Sequence, residues 1–137
     1  MPRFISLPFL FIVFILTLAP NAFAAVESIV GLSKAKPNAA AFKDASRRKP
    51  IEIKTADGLA KYFGKEQAVA ITKEVDFKKQ VVLIFAWRGS GQDRLNFDVL
   101  ESCPEQIIFK IKPGRTKDLR PHVHVFAVRK QAIWSVK

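Results

Sequence analysis

Three clusters, a serine within the first of them and one isolated cysteine carry residue types that could do chemistry. Arg88-Gly89-Ser90-Gly91-Gln92-Asp93-Arg94 sets two glycines between two arginines. Glycine permits positive φ and close backbone approach, so exposed amides there could hold an anion or a peptide carboxylate. The plainer reading is a hairpin turn in which Asp93 pairs with a neighbouring Arg. No Gly-Lys-Ser/Thr ending and no following helix are present, so the segment is not a phosphate loop. Arg115-Thr116-Lys117-Asp118-Leu119-Arg120-Pro121 is a second charged connection. If both lie at one end of the sheet, Arg88, Arg94, Arg115 and Arg120 converge around Asp93 and Asp118. The result is either a salt-bridge network or a basic recognition patch.

His122-x-His124 places two imidazoles on one strand face, roughly 7 Å apart, a spacing used in zinc sites. A third ligand would have to come from Asp93, Asp98, Glu101 or Cys103. Without one they are surface or half-buried histidines. Ser90 lies in Gly-Ser-Gly, but a nucleophile elbow needs Gly-x-Ser-x-Gly on a strand-to-helix turn, and a strand is expected next. Cys103 is the only cysteine, so no internal disulfide can form, and nothing local would activate its thiol. It is read as a small half-buried residue, with pairing between chains as the alternative. No carboxylate pair argues for glycoside chemistry.

Strands must position these groups. Val81-Val82-Leu83-Ile84-Phe85-Ala86-Trp87 is continuously apolar, as in a central strand buried on both faces. In Leu95 to Leu100 the apolar residues Leu95, Phe97 and Val99 alternate with Asn96 and Asp98, so the two runs read as a hairpin with one face of the return wet. Ile51 to Lys54 is a short edge strand, because Pro50 cannot donate to a ladder. Thr55 reads as the N-cap of a helix carrying Leu59, Tyr62 and Phe63 and ending at Gly64. A second helical stretch runs from Lys65 through Thr72 with Ala68, Val69 and Ile71 inward. Gln106 to Lys112 and His122 to Lys130 complete the strands, and Ala132 to Val136 adds a last one or packs back along the sheet.

The leader is legible separately. Arg3, an apolar Phe9 to Leu18 and the small-x-small Ala22-Phe23-Ala24 make residues 1–24 a signal peptide, cleaved after Ala24. The apolar run is broken by Pro8 and Pro20 and falls short of a bilayer span, so no stable membrane span is expected after cleavage. Only Arg3 of the 23 Lys and Arg falls in that leader, so nearly all of the net charge of +11 remains on the exported chain. Such a field attracts acidic proteins or polyanions. Export to a secreted or periplasmic location disfavours nucleic acid. Residues 25–50 read as a basic flexible arm or linker, with a short helix near Ala39 to Ala45 and a cluster at Arg47-Arg48-Lys49. Residues 51–137 suffice for one small β-rich domain.

The helix ending at Phe63-Gly64, Val75-Asp76-Phe77, the apolar strand with its Gly-containing turn, and the Arg-Pro entry to Val123-His124-Val125-Phe126-Ala127-Val128 are shared with a known family. Over about residues 51–130 the chain resembles the C-terminal domain of the protease complex subunit PrcB. The resemblance implies a small exported β-rich domain that associates with a secreted or surface protease and has no catalytic residues to transfer. Members usually carry Gly-Gly-Tyr in the turn, where this chain has Gly89-Ser90-Gly91-Gln92-Asp93-Arg94.

The expectation is an α+β domain: a mostly antiparallel sheet with one or two short helices packed on it. It acts as a non-enzymatic interaction module without a cofactor, its contact surface formed by Arg88, Gly89, Gly91, Arg94, Arg115 and Arg120. The alternatives are a metal-binding protein using His122 and His124, or a binder of polyanions or cell wall through the basic arm.

Overall fold

Gln80–Gly89 is buried on both faces because it lies between two cores, and the fold is built outward from it. A computed structural model describes residues 26–137, so the expected signal peptide lies outside the described residues. The elements in order are β1 (Ile29–Gly31), α1 (Ala40–Asp44), β2 (Ile51–Ile53), a 3-10 helix (Ala56–Lys61), α2 (Lys65–Glu74), β3 (Gln80–Gly89), β4 (Arg94–Leu100), β5 (Gln106–Lys112), β6 (Arg120–Arg129) and β7 (Ile133–Val136). The class is α+β, with mostly antiparallel pairing. One sheet has the order β1-β6-β3-β2 and is antiparallel throughout. The other has the order β4-β5-β7, in which β7 joins β5 in parallel.

Alternation along β3 divides its side chains between the cores. Val82, Ile84 and Ala86 face the helices, where they meet Leu59, Phe63, Ile71 and Val125. Val81, Leu83, Phe85 and Trp87 face the second sheet, where they meet Ile107 and Phe109 of β5, with Phe126 of the neighbouring β6 pointing into the same core. Phe85 and Phe109 meet with their rings tilted at 52° and centroids 4.8 Å apart, and both are fully buried. Burying a side chain of this size contributes about 1.5–3 kcal/mol.

The expected hairpin does not form. β3 pairs with β2 and β6, whereas β4 pairs with β5. The chain between Gly89 and Arg94 therefore passes from one sheet to the other. Hydrophobic period fixes which face of a strand is apolar but not which strand lies beside it.

Residues 26–50, expected as a flexible arm, are not a free arm. β1 pairs with β6, matching Val30 to Ala127, and extends the sheet. Ala41 of α1 is fully buried and Leu32 nearly so. Lys61 lies 2.6 Å from Asp44, and the Tyr62 hydroxyl donates to the same carboxylate at 2.9 Å, holding α1 against the 3-10 helix. The core next to the helices therefore draws on both sides of Pro50.

Local details also shift. Thr55 precedes a 3-10 rather than an α-helix and makes no side-chain cap, and Gly64 starts α2 instead of ending the helix before it. Ile71 points inward as expected, while Val69 is exposed. β2 is an edge strand, as Pro50 implied. Among the described residues, no helix is long and apolar enough to cross a membrane.

Candidate functional site

The chain leaves β3 through a turn closed by the Asp93 amide donating to the Ser90 carbonyl at 2.9 Å. Asp93 is buried, and its carboxylate is the hub of the whole end. Oδ2 accepts the Trp87 indole N–H at 3.0 Å and Oδ1 accepts the Gly114 amide at 2.8 Å. Arg47, arriving from the segment before β2, sits 3.3 Å from Oδ2. The Gly114 N–H, then the Trp87 indole and the Arg47 and His122 charges, hold this carboxyl below the ordinary range against the opposing effect of burial. A Cβ on Gly89 would run into Asp93 Oδ2, so glycine is required there by close approach. No described glycine has positive φ, which corrects the expectation that Gly89 and Gly91 supply it.

The two charged connections do meet. The Gly91 amide donates to Asp118 Oδ1 at 3.1 Å, the Arg115 amide donates to Gln92 Oε1 at 3.2 Å, and the Ser90 and Thr116 hydroxyls lie 2.5 Å apart. His122 Nε2 donates to the Ser90 carbonyl at 2.7 Å, since a carbonyl can only accept. Arg120 Nε donates to Asp118 Oδ2 at 3.1 Å. The Asp118 carboxyl is lowered to about 2, chiefly by the Thr116 hydroxyl, then by the Gly91 amide and Arg120. The loops are thereby fastened to each other before any partner arrives.

Arg94, Arg115 and Arg120 lie on this end and are exposed. Arg94 Nη1 donates to the carbonyls of Gly91 and Asp93, at 3.2 and 2.9 Å. Arg88 does not join them. Alternation along β3 puts it on the helix side, with its guanidinium 5.3 Å from the centre of the Phe42 ring. Gly89 is buried beneath the turn and presents nothing.

Sequence reasoning passed over Leu119, whose surface is 76% exposed between Asp118 and Arg120. A lone apolar residue in an otherwise polar loop was the signal that could have singled it out. Arg47, one of the basic cluster in the segment before β2, is the cation beside Asp93.

His122 and His124 do share a face, and both stack on Trp87, at 4.9 and 5.5 Å between ring centroids. Burial, and secondarily the neighbouring His122, lowers the His124 pKa. The ligands proposed to complete a metal site are engaged or remote. Asp93 is occupied as described, Asp98 pairs with Lys110, and Cys103 lies exposed beyond the far end of β4. Among the described residues no group of three or more His, Cys, Asp or Glu is placed to hold a metal ion. Ser90 Oγ meets Thr116 and the Gln92 amide, while the nearby imidazole binds the Ser90 carbonyl instead. Comparison with protein-family models, curated proteins and solved structures finds no match to this chain.

Proposed function

We propose that the chain is an exported, non-enzymatic interaction module. Its loop end, formed by Ser90 to Arg94 and Arg115 to Arg120, seats on an acidic protein surface that has an apolar pocket. The observation that carries this reading is Leu119, 76% exposed on a loop fastened by hydrogen bonds and flanked by exposed Arg94, Arg115, Lys117 and Arg120. A fixed loop has less conformational freedom to lose on docking, and a desolvated apolar anchor within a charged rim is the usual anatomy of a binding hot spot. The net charge of +11 would speed encounter with an acidic partner. The resemblance to the PrcB C-terminal domain makes a secreted or surface protease the partner class proposed.

The test is a pull-down from extracytoplasmic extract with residues 25–137, at low and moderate salt, against an Arg94→Glu/Arg120→Glu variant. One partner retained at moderate salt and lost in the variant supports the reading. Diffuse capture that vanishes with salt would mean that net charge alone does the binding. A variant that is merely less stable would make the arginines structural.

A further inference from the structure

The hydrogen bonds of the second sheet show which way each backbone group of β4 points. The Ile133 amide donates to the Glu105 carbonyl, the Lys137 amide to that of Phe109, and the Ile111 amide to that of Lys137. The odd-numbered residues of β5 therefore bond to β7 and the even-numbered ones to β4. With Lys110 opposite Asn96 and Ile108 opposite Asp98, the even-numbered residues of β4 close that ladder. The N–H and C=O groups of Leu95, Phe97 and Val99 consequently point away from the sheet, and no backbone or side-chain partner meets them among the described residues.

Among the described residues this edge lacks the usual protection. The other edge strands, β1, β2 and β7, have three, three and four residues, whereas β4 has seven. It contains no proline, and Phe97 and Val99, whose side chains lie on its core face, remain 39% and 38% exposed. Natural edges of this length are blunted by proline, inward charge or a covering element, or they are used. Arg94 opens the strand, with Lys112 directly across from it and Arg120, the first residue of β6, joined through Asp118 to the Gly91 turn.

We propose that β4 accepts an extended segment of the protein partner as an added antiparallel strand, with acidic residues at that segment's C-terminal end. This rests on the interaction-module reading and names how the partner attaches. Antiparallel addition brings the C-terminal end of the incoming strand beside Arg94, where its carboxylates find the cations. Main-chain hydrogen bonds to Leu95, Phe97 and Val99 supply affinity, and its alternate apolar side chains extend the partly open face at Phe97. A second copy of this chain is the poorer occupant, because it carries the same strongly positive charge.

The test uses residues 25–137 and a synthetic peptide of alternating valine and threonine ending in two glutamates, with a control peptide carrying the glutamates at its N-terminus. Residue-resolved amide exchange should show the Leu95, Phe97 and Val99 amides slowed about tenfold or more by the first peptide and less by the control. Val99→Pro, which removes only an outward N–H, and Val99→Lys should each abolish the effect while the Asn96 and Asp98 amides stay protected. Binding with changes confined to residues 115–120 would overturn the strand-addition inference and leave the loop reading standing. Absence of any peptide effect would overturn it as well. Protection that rises with protein concentration and no peptide would assign the edge to a second copy, against the proposal. The two readings separate with the captured partner: Leu119→Ser tests the loop and Val99→Pro tests the edge.

Discussion

Arg47 Nη2 lies 3.3 Å from Asp93 Oδ2, so a cation from the segment before β2 meets the turn that carries the chain from one sheet to the other. The same carboxylate holds Trp87 and Gly114, and four parts of the chain converge on one buried side chain. Asp93→Ala would leave the indole N–H and the Gly114 amide without their partner. The expected loss is about 2–4 kcal/mol, read from the midpoint of urea unfolding. Arg47→Ala, at a half-exposed position, should lose no more than about 1 kcal/mol.

His124 is neutral and half-buried against Trp87, and its folded pKa lies below the unfolded value of 6.5. Its contribution is therefore complete above that value and is lost as pH falls through the folded pKa. Stability of the wild-type chain should decline on acidification below about pH 6.5. His124→Phe retains an aromatic ring beside Trp87 and should flatten that decline, measured as thermal midpoint against pH.

Asp118 behaves differently. With its carboxyl lowered to about 2, the clamp on Gly91 and Arg120 should stay ionised across mild acid. A carboxyl carbon titration followed by NMR should place its inflection near that value. Asp118→Asn should raise amide exchange at Gly91 without unfolding the sheet.

Leu119→Ser changes a side chain that has few neighbours in the fold. The unfolding free energy should move by no more than about 0.5 kcal/mol, while capture of the partner falls. An unfolding curve measured alongside the pull-down checks both halves.

The sequence revealed β3 clearly, because a strand between two cores must be apolar at every position. In Gln106–Lys112 the spacing of Ile107, Phe109 and Ile111 predicts one buried face; Ile107 and Phe109 are fully enclosed and Ile111 partly so. Strand partnership was not legible: Leu95, Phe97 and Val99 share an apolar face whether β4 lies beside β3 or β5. The segment before Pro50 was obscured by its lysines, which stay in solvent while Leu32, Ala41 and Ala45 between them enter the core. At the charged end, composition pointed to Arg94, Arg115 and Arg120. Arg88 belongs to the opposite face by strand alternation alone, and Leu119 went unmarked because a single apolar residue has no period.

The pairing of Ile29–Gly31 with Phe126–Val128 also bears on how the chain acquires its shape. Among the described residues β6 is the one strand paired with β1 and one of the two paired with β3, yet it is synthesised after β4 and β5. An emerging chain thus carries the long apolar β3 without its main partner until β4 and β5 have been made as well. Such late, long-range closure is slow and leaves an aggregation-prone strand uncovered. A chaperone that shields Val81 to Trp87 until β6 arrives would therefore raise the yield of folded protein more than one acting on the helices.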